Sequence, residues 1–244
     1  MRDLAVGILR RVIPGMFPLP LRWRVLLGSI RDHKVAYEIF PRWWFLYKAY
    51  EALSVNGITG DYLEFGCHGA GTFSLAYGEI RRRGRTDHLW AFDSFAGLPE
   101  TTHARDEHPR WVPGTWAMTL DEFHRQCSQN GLDPQRYTAV EGFYSDSLEA
   151  LDDSAVPTDV ALAYIDCDLY TSTDDVLRFL QPRLKHGMIL AFDDYFCWSG
   201  SQVAGERLAA HEHFPADGRW NLVPYTGFGW HGMSFFLEDR ELIP

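Results

Sequence analysis

Several features are scarce in this chain of 244 residues, and each absence excludes a class of protein. No apolar run approaches the roughly 20 residues that a membrane-spanning helix needs. There are no internal repeats and no low-complexity linkers, so solenoid and multi-domain architectures are not expected. The four cysteines (Cys67, Cys127, Cys167 and Cys197) include no Cys-x-x-Cys pair. Neither a disulfide framework nor a zinc cluster is predicted, and we expect reduced thiols in a cytoplasmic protein.

Positive charge is scarce overall but not at the start of the chain. The net formal charge is −10, which argues against a nucleic-acid-binding surface and suits a protein that binds cations. Residues 1–48 nevertheless hold nine Lys or Arg against three acids. Such a basic, partly apolar segment would allow peripheral contact with a membrane. Packing on the domain or on a second subunit, as in a homodimer, is the favoured interpretation.

Apolar periodicity divides the chain near residue 56. Residues 1–56 are predicted to form a helical extension with an aromatic stripe made of Trp43, Trp44, Leu46, Tyr47, Tyr50 and Leu53. Residues 57–244 are predicted to form one α/β domain, because short apolar runs alternate with helical segments there. Strands are expected at 62–65, 88–92, 137–140, 160–165, 188–192, 220–224 and 233–237. Helices are expected at 72–82, 119–129, 145–151, 173–184 and 202–213. The sheet should be Rossmann-like, seven-stranded and mostly parallel, with its last strand antiparallel.

A glycine-rich turn follows the first predicted strand. Gly66, Gly69 and Gly71 stand in Gly-x-x-Gly-x-Gly spacing, which differs from the Gly-x-Gly-x-x-Gly of dinucleotide binders. Glycines let the backbone turn tightly and approach a ligand closely. Glu64 precedes the turn, where a carboxylate would repel a pyrophosphate but attract an ammonium group. The turn therefore favours S-adenosylmethionine over NAD.

The next two strands end in residues that suit a nucleoside. Asp93 lies 22 residues after Gly71 at the end of the second strand, where an acid commonly accepts the ribose hydroxyls. Asp93 and Ser94 also suit a turn or a helix N-cap. The third strand is followed by Gly142, Tyr144 and Ser145, which we assign to the adenine edge. Ser145 equally suits an N-cap.

Carboxylates cluster after the fourth and fifth strands. Asp166 and Asp168 follow one, and Asp193 and Asp194 follow the other. The carboxyl ends of neighbouring parallel strands open on one crevice, and packed like charges there require a cation or protonation. All-oxygen ligands favour Mg²⁺, or Mn²⁺ and Ca²⁺, over zinc. We predict Asp166, Asp193 and Asp194 as metal ligands, whereas Asp168 is expected to cap the following helix.

The metal and a base together suggest methyl transfer to a hydroxyl. A divalent ion lowers the pKa of an alcohol, and a general base then removes its proton. The 97–117 loop is long enough to be a lid and contains His103 and His108 with two tryptophans. Either histidine suits the base, and either also suits a solvated surface position.

Five blocks stand in order along the chain: 60–66 (GDYLEFG), 93–99 (DSFAGLP), 142–148 (GFYSDSL), 166–173 (DCDLYTST) and 192–195 (FDDY). Together they resemble the macrocin O-methyltransferase family. The resemblance implies a class I methyltransferase fold, with Asp93 on the cofactor ribose. It implies Asp166, Asp193 and Asp194 as metal ligands, and a contribution of Asp166 to catalysis. It also implies a lid histidine as base, for which His108 is the nearer match. The implied acceptor is a sugar hydroxyl, in a glycosylated natural product, a polysaccharide or a glycolipid.

Two other enzymes share parts of this pattern. Asp-x-Asp at 166–168 is also the metal motif of many nucleotide-sugar glycosyltransferases, but that function leaves the glycine turn and Asp93 without a role. A catechol-like phenolic O-methyltransferase would use a similar acidic metal site and differ only in its acceptor.

Overall fold

The structure of the protein, a computed structural model, describes residues 38–100, 103–151 and 156–244. Most of the basic segment, with its predicted membrane or subunit contact, lies outside these residues. The domain boundary near residue 56 therefore stays a prediction. Within the described ranges, no helix combines the length and apolar character needed to cross a membrane.

Seven strands form one sheet and confirm the predicted fold class. Their order is β3-β2-β1-β4-β5-β7-β6, in which β1 to β5 are parallel and β7 is antiparallel to both β5 and β6. The strands are β1 Asp61–Phe65, β2 Leu89–Asp93, β3 Tyr137–Glu141, β4 Val160–Ile165, β5 Ile189–Phe192, β6 Trp220–Phe228 and β7 Gly232–Asp239. The order of connections reverses between β1 and β4. In open α/β sheets a ligand crevice forms at such a switch point.

Helices cover both faces of the sheet, as predicted for a parallel α/β domain. The helices of the described residues are α1 Phe40–Val55, α2 Gly71–Arg82, α3 Leu120–Gln129, α4 Tyr144–Ser147, α5 Tyr170–Leu180 and α6 Gly205–His213. The first core cluster contains residues of α1, α2 and α3, and the second contains residues of α5 and α6. Every residue of β4, the central strand, is buried. A strand covered on both faces reads as a continuous apolar run, which is why its bounds were predicted without error.

The predicted aromatic stripe lies on α1 and faces the core. Trp43, Leu46, Tyr50 and Leu53 are buried, whereas Trp44 is 45% exposed. Helix α1 begins next to Pro41, whose missing N–H costs nothing in the first turn. The helix packs against α2 and β6. Its side chains thus belong to the same core as the sheet.

Several predicted elements differ in length from those observed, three of them by a clear change of structure. Strand β6 continues to Phe228 through a segment expected to be a loop, because residues 226–228 pair with β7 beyond an irregularity at Pro224. Helix α5 ends at Leu180 rather than 184, since Pro182 follows and cannot donate to the helical ladder. Helix α4 is a single short turn in place of the predicted 145–151 helix.

Candidate active site

The carboxyl ends of the parallel strands open on one cavity of about 1240 Å³. Such a volume exceeds that of a typical single-ligand pocket and suits two ligands side by side. Nearly all of the predicted site residues line it: Gly66, Gly69, Asp93, Ser94, His103, His108, Gly142, Tyr144, Ser145, Asp166, Asp193 and Asp194. Of the predicted site residues, Glu64 does not.

The glycine turn brings β1 against the acidic end of β4. Gly66 has φ +90°, and a Cβ there would fall on the backbone carbonyl of Asp166. Gly69 also has a positive φ, but a Cβ there would meet no atom within 4 Å. Gly66 is therefore required by packing between two strand ends, and Gly69 by the course of the turn beside the cavity.

Asp93 joins the end of β2 to this turn. Its Oδ2 accepts the N–H of Cys67 at 2.6 Å, and its Oδ1 accepts the N–H of Phe95 at 2.8 Å. Ser94 closes the same turn by donating to the carbonyl of Gly97 at 2.7 Å. The turn interpretation of both residues is thus correct. Burial raises the pKa of the Asp93 carboxyl, and these backbone donors oppose the shift.

Glu64 lies in β1, just before the glycine turn, and does not line the cavity. Only 2% of it is exposed, and the hydroxyl of Tyr62, on the same face of β1, donates to its carboxylate. Burial raises the pKa of Glu64 to about 8, against the hydrogen bond from Tyr62. Its predicted contact with an ammonium group stays a prediction.

The segment after β3 forms a third part of the cavity wall. Gly142 has φ +135°, and the hydroxyl of Tyr144 donates to the carbonyl of Phe92 at 3.3 Å. Ser145 lies inside α4, whose N-cap is Phe143, so its interpretation as an N-cap is wrong. Phe143 itself is 39% exposed beside the cavity, where an aromatic face is available to a flat ligand.

The structure brings three carboxylates into one group: Asp166, Asp168 and Asp194. One ligand atom from each lies within 4.8 Å of the others. Burial, and after it the charge of neighbouring carboxylates, raises the pKa of both Asp166 and Asp168 well above the ordinary value. Clustered carboxylate oxygens of this kind fit a hard divalent cation, which would remove their mutual repulsion.

Asp193 reaches the same edge but is held by another partner. Arg42 of α1 donates to both of its carboxylate oxygens, and Tyr164 donates to one of them. Asp193 and Asp194 also form a second group of potential metal ligands with His231. Of the three predicted ligands, Asp166 and Asp194 share one group, whereas Asp193 shares the other group with Asp194 and is engaged by a guanidinium.

Asp168 was expected to cap the next helix, and that expectation is wrong. Helix α5 has Leu169 as its N-cap and no side-chain cap, and Asp168 has φ +61°. The N–H and hydroxyl of Thr171 are instead accepted by Asp106 of the lid, each at 2.9 Å. The side chain of Asp168 is therefore free to join the acidic group.

The two lid histidines differ in position. His103 stacks on Tyr170 of α5, with ring centroids 5.8 Å apart, and so joins the 97–117 loop to that helix. His108 stacks on Trp111 at 4.6 Å, and burial lowers its pKa while nearby Asp194 opposes the shift. His108 therefore lies nearer the acidic group. Its Nδ1 accepts the N–H of Arg110 at 3.3 Å, so a neutral His108 carries its proton on Nε2 in this arrangement.

Two residues that contact Asp193 were not found by sequence patterns. Arg42 carried no signal beyond its positive charge, because its partner Asp193 lies 151 residues away. His231 lies between β6 and β7, and its Nδ1 is 2.5 Å from the carbonyl oxygen of Asp193. A carbonyl only accepts, so Nδ1 carries a proton, which leaves the lone pair of the neutral imidazole on Nε2. A histidine among turn glycines was the only available hint.

Known proteins share these features. The model of the family described as Macrocin-O-methyltransferase (TylF) matches residues 41–220. The 8-demethyl-8-(2,3-dimethoxy-alpha-L-rhamnosyl)-tetracenomycin-C 4'-O-methyltransferase of Streptomyces olivaceus is 32% identical over 152 residues, which are 59% of this chain and 56% of the relative. The Mycinamicin III 3''-O-methyltransferase of Micromonospora griseorubida is 29% identical over 174 residues, 65% of this chain and 61% of the relative. The chain thus spans little more than half the length of these curated relatives.

The fold also has a counterpart among solved structures. The O-methyltransferase NovP aligns with a TM-score of 0.66 at 24% identity, covering 82% of this chain and 80% of that one. The predicted class I methyltransferase fold is thereby confirmed. The family match runs from α1 to the start of β6 and contains all five sequence blocks, well over half of the chain. The protein belongs to the macrocin-O-methyltransferase family.

Proposed function

We propose that the protein transfers a methyl group from S-adenosylmethionine to a sugar hydroxyl of a glycosylated small molecule, with help from Mg²⁺ or a similar divalent cation. One observation carries the proposal: a single cavity holds both the glycine turn with Asp93 and the group of Asp166, Asp168 and Asp194. A methyl donor and a hydroxyl acceptor must lie side by side, and proximity supplies much of the rate of an in-line displacement. Family membership favours this function over a metal-dependent glycosyltransferase.

The cofactor would lie along the ends of β1, β2 and β3. Gly69, beside Gly66, would leave room for its amino-acid portion, and Asp93 keeps lone pairs for the ribose hydroxyls beyond the two backbone N–H groups it accepts. We assign the adenine to Gly142, Tyr144 and Ser145, with Phe143 available to cover the ring. Glu64 would act on the ammonium group indirectly, through the turn that follows it in the chain.

The acceptor hydroxyl would lie over the acidic group. We assign the metal to Asp166 and Asp194, with Asp168 and Asp193 as the remaining candidates. A cation there would supply the positive charge that lowers the pKa of the hydroxyl. His108 is proposed as the base. With its proton on Nε2, His108 would take up the acceptor's proton at Nδ1, after the contact between Nδ1 and the N–H of Arg110 opens.

Aromatic side chains around the cavity suit a ring-shaped acceptor. Trp111, Trp116, Trp198 and Trp230 come from the lid, from the segment after β5 and from the β6–β7 turn. Indole faces stack on flat apolar surfaces and on the C–H faces of sugar rings. The Streptomyces olivaceus relative is named for a rhamnosyl-bearing tetracenomycin. We therefore propose a glycoside rather than a simple phenol as acceptor.

A direct assay tests the proposal. The chain would be incubated with S-adenosylmethionine and rhamnosides, nucleotide sugars or catechols, with Mg²⁺ or with EDTA. Mass spectrometry would then detect a gained methyl group. We expect Mg²⁺-dependent methylation of a glycoside. Methylation confined to catechols would refute the acceptor, and activity unchanged by EDTA would refute the metal. Calorimetry showing no affinity for S-adenosylmethionine would overturn the function as a whole.

We further propose a cytoplasmic homodimer. All four cysteines are buried free thiols, which suits a reducing compartment. Trp44 and Phe40 are exposed on α1 and would supply an apolar contact between subunits. Light scattering on the purified chain tests the dimer, and a monomer at all concentrations would refute it.

A further inference from the structure

Glu206 connects the two chain segments that carry the aspartates after β4 and β5. It is the second residue of α6 and is fully buried. One carboxylate oxygen accepts the N–H of Cys167 at 2.9 Å, and the other accepts the N–H of Asp194 at 2.9 Å. Cys167 lies between Asp166 and Asp168, so one side chain spans the segments that follow β4 and β5.

The start of α6 is shaped to place Glu206 there. Gly205 has φ +56°, and a Cβ on it would lie 3.0 Å from the carbonyl oxygen of Asp168 and 3.5 Å from that of Cys197. Because residue 205 has no side chain, the helix begins directly against both acidic segments. Ala209 and Ala210 are buried further along α6, which keeps the helix on the sheet.

Glu206 differs from the other fully buried glutamate of the described residues in its partners. Glu79 accepts from the indole of Trp43 and from the guanidinium groups of Arg82 and Arg83. Among the described residues, no basic side chain donates to Glu206, whose two acceptor oxygens both serve backbone N–H groups. An uncompensated carboxylate is costly to bury. Burying Glu206 in spite of this cost maintains the geometry of the two segments, because its carboxylate bonds to both of them.

We infer that Glu206 is a positioning residue that sets the spacing between Asp166 and Asp168 on one segment and Asp194 on the other. Its effect on methyl transfer rests on the proposed function, whereas its effect on the two segments does not. Outer partners that orient ligating groups commonly change metal affinity by about 10- to 100-fold when removed.

The test compares Glu206→Gln with Glu79→Gln in the full chain. A glutamine offers one acceptor oxygen and places an NH₂ against the second backbone donor. We expect Glu206→Gln to bind Mn²⁺ at least about tenfold more weakly by calorimetry. We also expect faster hydrogen exchange at the N–H groups of Cys167 and Asp194. Glu79 does not line the cavity, so Glu79→Gln should keep the wild-type Mn²⁺ affinity and amide exchange even if it lowers the Tm as much as Glu206→Gln does.

Each outcome decides the inference. Unchanged Mn²⁺ affinity and exchange in Glu206→Gln would overturn it, and so would equal losses in both variants. If wild type binds no Mn²⁺, the metal assignment fails, but the exchange of the two amides still tests the positioning role. Glu206→Asp keeps both acceptor oxygens one methylene farther away. It covers the case in which Glu206→Gln does not fold, and intermediate exchange rates are expected for it. Amide exchange rates in Glu206→Asp equal to those of wild type would contradict the inference.

Discussion

Arg42 and Asp193 form a two-point ion pair between α1 and the end of β5. The Nε of Arg42 donates to Oδ1 of Asp193 at 2.9 Å, and Nη2 donates to Oδ2 at 2.5 Å. The side chain of Asp193 is 3% exposed and that of Arg42 17%. The guanidinium therefore brings a positive charge to an edge that otherwise collects carboxylates, and it ties the first helix of the described residues to the candidate metal site.

Removing Arg42 should make the thermal stability of the protein depend more on a bound metal ion. Arg42→Gln leaves Asp193 without its cationic partner, and breaking a buried pair in this way costs about 3 kcal/mol. A bound cation would restore part of the lost charge balance. The rise in Tm caused by Mg²⁺ should therefore be larger in Arg42→Gln than in wild type. Arg82→Gln, which weakens an ion pair to Glu79 away from the cavity, is the matched control. Equal Mg²⁺ effects in all three proteins would contradict the coupling.

Asp168 provides a test of geometry against sequence pattern. It was expected to be a helix cap, yet it lies with Asp166 and Asp194. Asp168→Asn should lower Mn²⁺ affinity by at least about tenfold. Removing a residue that only orients a metal ligand already costs about that much, and losing a ligand should cost no less. Asp174→Asn removes an acid of α5 that pairs with Arg178 and His213, and it should leave the affinity unchanged. Calorimetry on the two variants checks this. Wild-type affinity in Asp168→Asn would exclude Asp168 from the ligand set.

The pH profile should identify the base. Burial lowers the pKa of His108, so the neutral imidazole persists to lower pH than in an ordinary histidine. If His108 is the base, kcat/KM should rise with pH through a value below 6.5 and then level off. His108→Gln should remove this rise and lower kcat by about 100-fold.

His231→Gln is the matched comparison for this experiment. Its imidazole already has Nε2 free, since Nδ1 donates to the carbonyl of Asp193. A larger loss of kcat in His231→Gln than in His108→Gln would move the base from the lid to the β6–β7 turn. The Tm of each variant separates loss of chemistry from loss of structure.

Glu64 should make stability depend on pH. Burial raises its pKa from an ordinary 4.5 to about 8, so the folded state holds the proton more tightly than the unfolded state. Its contribution is fully present below pH 4.5 and is lost as pH rises towards 8, by up to about 1.4 kcal/mol per pH unit. Glu64→Gln keeps an acceptor for Tyr62 without the charge. Urea unfolding should show that the free energy of unfolding of this variant increases relative to that of wild type between pH 5 and pH 8. Parallel pH profiles would show that Glu64 titrates normally.

Local patterns were sufficient for most of the architecture. The parallel strands were predicted because buried strands read as short apolar runs, and the site edge because glycines and aspartates follow those runs directly. A residue that follows a parallel strand lies at the carboxyl edge whatever its neighbours are. Gly66, Asp93, Asp166 and Asp194 could therefore be placed at one cavity from their order in the chain.

Side-chain direction and distant partners were decided by tertiary structure alone. The carboxylate of Glu64 accepts from Tyr62 and does not line the cavity, and Asp168 joins Asp166 and Asp194 while Asp106 accepts the N–H of Thr171. Arg42 meets Asp193 across 151 residues, and Glu206 reaches Cys167 across 39. Apolar periodicity encodes which face of an element is buried, but not which charged group packs against it. Those pairings depend on how helices dock on the finished sheet, which no local stretch of sequence specifies.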